Sequence, residues 1–150
     1  MEAAVVRAAA PGDIDQVVSM YEWLFAPPGA RPAAWDPDHA AAALGSAIAA
    51  DGAVVLVATL GDEFVGVCTA YDDIDSVRFG RRVWVEDLAV HPHRRSLGIG
   101  KLLLDEAKDW ARTRGATHLE LASAQTRADA HRFYDREQPS THSMCFGWEL

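Results

Sequence analysis

Cysteine is scarce: Cys68 and Cys145 are the only thiols among 150 residues. Two distant thiols exclude a disulfide framework and a cysteine metal site, and Cys68, set in an apolar strand pattern, reads as buried and inert. Long hydrophobic runs are missing as well. No stretch of about 18 apolar residues is present to cross a bilayer, and the start Met1-Glu2-Ala3-Ala4 lacks the charged and then apolar regions of an export signal. A cytoplasmic protein without a membrane partner is expected. Positive charge is in deficit too: 14 Lys and Arg against 22 Asp and Glu leave a net charge of −8. Such a field repels polyanions, so a nucleic-acid partner is not expected, and it attracts small cations. His91 and His93 flank Pro92 without the ligand spacing of a finger or helical site, so no metal is expected. The chain has no repeat, low-complexity tail or linker, and 49% apolar residues suffice for one sizeable core. Residues 1–150 are expected to form one domain, with homodimerisation left open.

What is present is an ordered series of strand and helix patterns. Ala3 to Ala9 reads as a first strand. Pro11-Gly12-Asp13 then opens a helix on which Ile14, Val17, Val18, Tyr21, Leu24 and Phe25 keep helical spacing. Pro27, Pro28, Gly29 and Pro32 break it, leaving Ala26 to Trp35 as an irregular segment suited to bordering a pocket, with Trp23 and Trp35 read as packing residues. Asp36 caps a second, Ala-rich helix that has Pro37 in its first turn and runs to Ala50. Val54 to Leu60 and Glu63 to Tyr71 are strands joined by the hairpin signal Gly61-Asp62. A polar stretch, Asp72 to Gly80, separates them from a strand at Arg81 to Val90 and a helix from Gly98 to Arg114. The buried face of that helix is predicted at Ile99, Leu102, Leu103, Ala107, Trp110 and Ala111. Thr117 to Ser123 is a further strand, and a strand–helix–strand unit is normally parallel and right-handed, so the sheet is mixed. Thr126, with Asp129 three residues on, caps a short helix through Arg136, and His142 to Trp148 is read as a closing strand. The fold class is α+β: helices around a mixed, mostly antiparallel sheet.

The most informative stretch runs from Val83 to Leu104. A strand ends at Pro92, and Arg95-Ser96-Leu97-Gly98-Ile99-Gly100-Lys101 opens an amphipathic helix whose free N–H groups gather at its positive end. That is a cradle for a pyrophosphate. A dinucleotide fingerprint is excluded because Leu103 stands where a third glycine is required, and a nucleotide-hydrolase phosphate loop because Leu102 follows Gly100-Lys101. Each N–H donated to a charged oxygen is worth about 1.5 to 3 kcal/mol before desolvation losses. Several in one loop hold a phosphate group without a metal. Arg95, Ser96, Leu97, Gly98, Ile99, Gly100 and Lys101 are the phosphate-contact candidates.

The spacing Arg95-x-x-Gly98-x-Gly100 resembles the acetyl-coenzyme A signature of the GNAT superfamily of N-acetyltransferases. The resemblance covers most of the chain and is strongest from Val83 to Tyr134. It implies a GNAT-like single-domain fold, acetyl-coenzyme A as cosubstrate and a small-molecule amine as acceptor. It also implies that the strand before the loop splays from its neighbour and pairs with pantetheine, at Leu88, Ala89 and Val90. Ala130-His131-Arg132-Phe133-Tyr134 is similar to the later part of another family motif, which makes Tyr134 the candidate acid. The run Arg127 to Tyr134, with His142, resembles the aminoalkylphosphonate N-acetyltransferase branch, although a net charge of −8 suits an amine-rich acceptor such as an aminoglycoside better. Arg127 stands where many relatives have Asn, and Gln138-Pro139 replaces the common Gly-Phe.

Glu86 and Asp87 are adjacent on one strand, so alternation sends them to opposite faces and only one readily serves the acceptor. Which one is left open. An alkyl amine with a pKa near 10.4 is almost wholly protonated at pH 7, so neutralising it costs about 4 to 5 kcal/mol and calls for a base. The departing thiolate needs a proton, which Tyr134 is placed to give. Asp72, Asp73 and Asp75 are candidates for recognising a cationic acceptor. Direct attack requires no acyl-enzyme, and Cys68 lacks matched partners for a nucleophilic role. The rival reading is a noncatalytic sensor of acetyl-coenzyme A whose acceptor site was lost at Gln138-Pro139.

Overall fold

β-branched and small residues in alternation build a five-stranded sheet whose spatial order follows the chain: β1 (Val5–Ala8), β2 (Ala53–Leu60), β3 (Glu63–Ser76), β4 (Gly80–Val90) and β5 (His118–Leu121). The structure, a computed structural model, describes residues 2–150. β1 to β4 pair antiparallel and β5 joins β4 in parallel, so the sheet is mixed and mostly antiparallel, as the patterns require. One face carries α1 (Ile14–Met20), α2 (Glu22–Phe25) and α3 (Pro37–Ala49); the other carries α4 (Ile99–Thr113), and α5 (Ala128–Arg136) follows β5.

The sheet is buried between two apolar layers. Val17, Met20, Leu44 and Ala47 pack on Val55, Val57, Val67 and Ala89. On the other face Ile99, Leu103, Ala107 and Ala111 pack on Val65, Cys68, Ala70, Val83 and Val85. Each Leu, Ile or Val fully removed from water stabilises the fold by about 1.5 to 3 kcal/mol. Leu104 joins the buried face of α4 at 4% exposure, whereas Leu102, predicted there, is 43% exposed. Steps of four residues from Ile99 follow the 3.6-residue period through Leu103, Ala107 and Ala111, and Leu102 is turned off that line. The helix is thereby pinned by its first turn, the one that carries the phosphate loop.

Several local signals act as the sequence implies. Asp36 accepts a hydrogen bond from the Asp38 N–H at 3.0 Å, capping α3, and Leu60 pairs with Glu63 across Gly61-Asp62. Others differ. The first helical pattern is broken at Tyr21 into α1 and α2. The stretch Asp72 to Gly80 is no loop: β3 continues to Ser76, and the ladder resumes at Asp75 opposite Arg81 after a register shift. Thr126 does not cap α5, because Arg127 holds the N-cap position and gives no side-chain capping bond. The closing strand at His142 to Trp148 does not form. Gln138 adopts φ 58°, and Pro139, which has no N–H for a ladder, follows it; residues beyond are irregular and exposed. No helix among the described residues is long and apolar enough to cross a membrane.

Candidate active site

β4, eleven residues long, is paired on both edges only from Arg82 to Val85. Its parallel partner β5 runs from the pair Arg82 and His118 to the pair Val85 and Leu121 and then ends, whereas β3 stays with β4 to Val90. Past Val85 the second edge opens into a cavity of about 900 Å³, which Leu88, Ala89 and Val90 line from the strand. Backbone N–H and C=O groups on such an edge want partners, and an extended chain carrying amides can supply them.

The cavity continues into the phosphate loop. After the turn Pro92–Arg94, Ser96 (φ 63°) and Gly98 (φ 81°) adopt left-handed backbone, and Gly98 is the N-cap of α4. Glycine takes that conformation without steric cost. Two left-handed steps bend the chain over the helix start, where the first-turn N–H groups are free to meet an anion. Arg95, Ser96, Gly98, Ile99, Gly100 and Lys101 all line the cavity; Leu97 does not and is 63% exposed. Arg94 lines it too; its Nη2 donates to Glu63 at 2.9 Å, while its buried Nε has no hydrogen-bond partner among the described residues. An orphaned guanidinium N–H beside a helix start is a donor awaiting an acceptor, so the donor set fits a phosphorylated cofactor. A Cβ on Gly100 would lie 3.3 Å from the Phe133 ring, so α5 closes directly on the loop.

Tyr134, also on α5, lines the same cavity. Burial, with the neighbouring Cys68 thiol adding, pushes its phenol up to about 12, and Arg127 opposes that shift. It therefore stays protonated at neutral pH. Burial likewise pushes the Cys68 thiol up to about 12, so it stays a thiol, the state of an inert side chain. Arg127 spans the cavity wall, donating from Nη2 to the Leu24 carbonyl at 2.9 Å and so tying α5 to α2.

Glu86 and Asp87 are not on opposite faces. Asp87 pairs with Thr69 and Val85 with Ala70, so Glu86 is the extra residue of a β-bulge, a break in alternation that no single-strand pattern discloses. Both carboxylates consequently emerge on the α1 side. Asp87 Oδ2 accepts from Tyr21 Oη at 2.6 Å and from Thr69 Oγ1 at 3.1 Å. Burial raises the Asp87 pKa, against those two hydrogen bonds. Glu86 is exposed, and its Oε2 accepts from Trp84 Nε1 at 2.7 Å. The bulge lies directly past the point where β4 and β5 part. One carboxylate is thus locked in the fold and the other is exposed on the bulge; neither lines the cavity itself.

The aspartates after Tyr71 have partners of their own. Asp72 accepts from Arg114 at the C-terminal end of α4, at 2.5 and 2.8 Å, and Asp73 accepts from Arg82 at 2.7 Å. Asp75 sits opposite Arg81 on the arm of the β3–β4 hairpin. None of the three borders the cavity. Tyr21 is the residue that sequence reasoning missed, because its place in the apolar stripe of the first helix accounts for its ring and says nothing of its hydroxyl.

An open strand edge thus leads into a loop at a helix start, with α5 and its Tyr134 lining the same cavity. The family model of the acetyltransferase (GNAT) family matches residues 17–138, and the chain belongs to that family. It is 48% identical over 59 residues to an uncharacterized N-acetyltransferase, YhdJ, of Bacillus subtilis (strain 168), covering 39% of this chain and 42% of that protein. It is 41% identical over 58 residues to the streptothricin acetyltransferase of Streptomyces lavendulae, covering 39% and 31%. The chain thus spans less than half the length of these two curated relatives. Among solved structures it resembles the aminoglycoside N-acetyltransferase AAC(6')-Iy in complex with CoA, with TM-score 0.86 at 14% identity over 100% of this chain and 96% of that one. A transcriptional regulator from Bacillus halodurans C-125 gives TM-score 0.84 at 23% identity over 99% and 100%. At these identities the likeness establishes the fold.

Proposed function

We propose that this protein transfers an acetyl group from acetyl-coenzyme A to a primary amine of a small cationic molecule by direct attack. The observation that carries the reading is the partly paired β4: its free edge at Leu88 to Val90 leads into the loop Arg95 to Lys101, with Tyr134 on the cavity wall and Glu86 on the bulge directly before the open edge. Bound acetyl-coenzyme A supplies an activated thioester. The residues do the rest. The loop N–H groups and Arg94 hold phosphate, and the strand edge orients the pantetheine amides. Glu86 takes the proton from the acceptor ammonium, directly or through water, and Tyr134 Oη delivers one to the departing sulfur. Asp87, half-buried and already bonded to Tyr21 and Thr69, is the weaker candidate for base.

Charge supports a cationic acceptor over an aminoalkylphosphonate. Glu86 is an exposed carboxylate, and the chain carries −8 overall, both unfavourable to a phosphonate dianion. The named activities of the streptothricin and aminoglycoside enzymes point the same way. Asp72 and Asp73 are already neutralised by arginines, so we assign cation recognition to Glu86 rather than to them. The sensor reading draws on the irregular segment after Gln138-Pro139, but a sensor has no use for an exposed carboxylate on the bulge before the open edge. Thiol release across polyamines, aminoglycosides, amino acids and aminoalkylphosphonates tests the proposal. Turnover of one or more cationic amines is expected; tight acetyl-coenzyme A binding with no turnover of any acceptor would favour the sensor.

A further inference from the structure

We infer that Tyr21 is a positioning residue for acetyl transfer: its hydroxyl locks Asp87 beside the β4 bulge and thereby fixes the backbone step that presents Glu86 and begins the open edge at Leu88. The inference rests on the acetyltransferase reading above.

A bulge leaves one residue without a ladder partner and loosens the strand locally, so the backbone there needs another restraint. Here side chains provide it. Thr69 Oγ1 accepts from the Asp87 N–H at 3.1 Å and donates to Asp87 Oδ2 at the same distance, and Tyr21 Oη closes the network at 2.6 Å. The Tyr21 ring is itself held, stacked on Trp35 with centroids 5.6 Å apart and tilted against Phe25 at 6.5 Å. Packing in this aromatic cluster needs no hydroxyl; a phenylalanine would fill the site. The hydroxyl's evident work is on Asp87, sixty-six residues away in the chain. The groups around this carboxylate are Tyr21 from the α1–α2 break, Thr69, Tyr71 and Cys68 from β3, and Glu86 on its own strand. No cation is among the groups that shift Asp87. Neutral donors alone therefore stabilise the charge, and loss of one leaves the bulge markedly less restrained.

The test compares Tyr21→Phe, Asp87→Ala, Asp87→Asn and the Tyr21→Phe/Asp87→Ala double variant, using the amine that wild type acetylates best. Tyr21→Phe is expected to lower kcat about tenfold while KM for acetyl-coenzyme A stays within about twofold. The double variant should be no worse than its poorer single, since both changes cut one network. Asp87→Asn keeps an acceptor for Tyr21, and should recover most of the activity lost in Asp87→Ala with the acidic limb of the pH profile in place. Hydrogen exchange supplies a readout independent of turnover: the amides of Glu86, Asp87 and Leu88 should exchange about tenfold faster in Tyr21→Phe than in wild type. Wild-type exchange and kcat in Tyr21→Phe would overturn the inference, as would an Asp87→Asn enzyme as inactive as Asp87→Ala and lacking the acidic limb, which would make Asp87 the base. If wild type acetylates no amine, the functional reading fails while exchange alone still decides whether Tyr21 restrains the bulge.

Discussion

The two halves of β4 differ in one respect with many consequences. From Arg82 to Val85 the strand is bonded on both edges, its alternate residues Val83 and Val85 are buried, and its neighbours are fixed. From Glu86 to Val90 it has one partner, a bulge and an open edge lining a cavity. The first half is finished structure. The second leaves backbone groups and a helix start unsatisfied together, and unsatisfied polar groups held in a rigid frame are what a ligand can complete. Chemistry is therefore expected to be sensitive to changes around the open half, and stability to changes around the closed one.

The sharpest break in that comparison is Tyr134→Phe. The ring and its packing remain while the proton is lost, so kcat should fall about 10²-fold or more with acetyl-coenzyme A affinity retained, measured by steady-state kinetics and calorimetry. Because burial pushes the phenol up to about 12, the group stays protonated through the neutral and mildly alkaline range, and no high-pH loss of kcat below about pH 10 should trace to it. Wild-type kcat in the variant would assign the proton to another donor.

Glu86→Gln comes next. Gln can still accept from Trp84 but cannot take a proton, so kcat/KM for the amine should fall about 10- to 100-fold near neutral pH and recover in part as pH rises and free amine accumulates. An unchanged pH–rate profile would remove Glu86 from the base role. Gly100→Val acts on the other end of the open half. Its Cβ would press on Phe133 at 3.3 Å and narrow the phosphate approach, so acetyl-coenzyme A should bind at least about tenfold more weakly by calorimetry in a variant that still folds. Gly98→Ala is the companion: no protein atom lies within 4 Å of its Cβ, so a loss of thermal stability there, without cofactor, reports the cost of φ 81°.

Much of this was legible in the chain. The strand, the Pro-marked turn, both glycines and the helix could be placed because each rests on local chemistry, and the mixed sheet followed from the parallel crossover. The relation of Glu86 to Asp87 could not be placed, since a bulge is a property of two strands and only the register with Thr69 and Ala70 reveals it. Tyr21 escaped for the same reason: its hydroxyl gains meaning from a partner far along the chain. His142 to Trp148 reads as a strand in the sequence, but the chain leaves α5 through Gln138 in left-handed backbone and then Pro139, and no ladder forms beyond them. The acidic cluster misled differently. Residue type showed the charges, and only contacts showed that arginines had already answered two of them.

The smallest expected effect on chemistry belongs to those aspartates, and it completes the comparison from the closed side. With Asp72, Asp73 and Asp75 changed together to Asn, KM for a polycationic amine should stay within about twofold at low ionic strength, where any attraction by these charges would be strongest. A several-fold rise in KM that salt erases would restore them as acceptor contacts. Stability should move instead. The Arg114 guanidinium, through its hydrogen bonds, holds the Asp72 carboxyl below the usual carboxylate range. A folded-state pKa lowered in this way means that the unfolded chain binds the proton more readily, so the contribution is present above the ordinary carboxylate pKa and is lost as pH falls through the lowered value. Asp72→Asn should accordingly lower the thermal midpoint at pH 7, and the gap from wild type should close as both are acidified. A gap that persisted at low pH would mean that hydrogen-bond geometry at Arg114, rather than charge, is what Asp72 contributes.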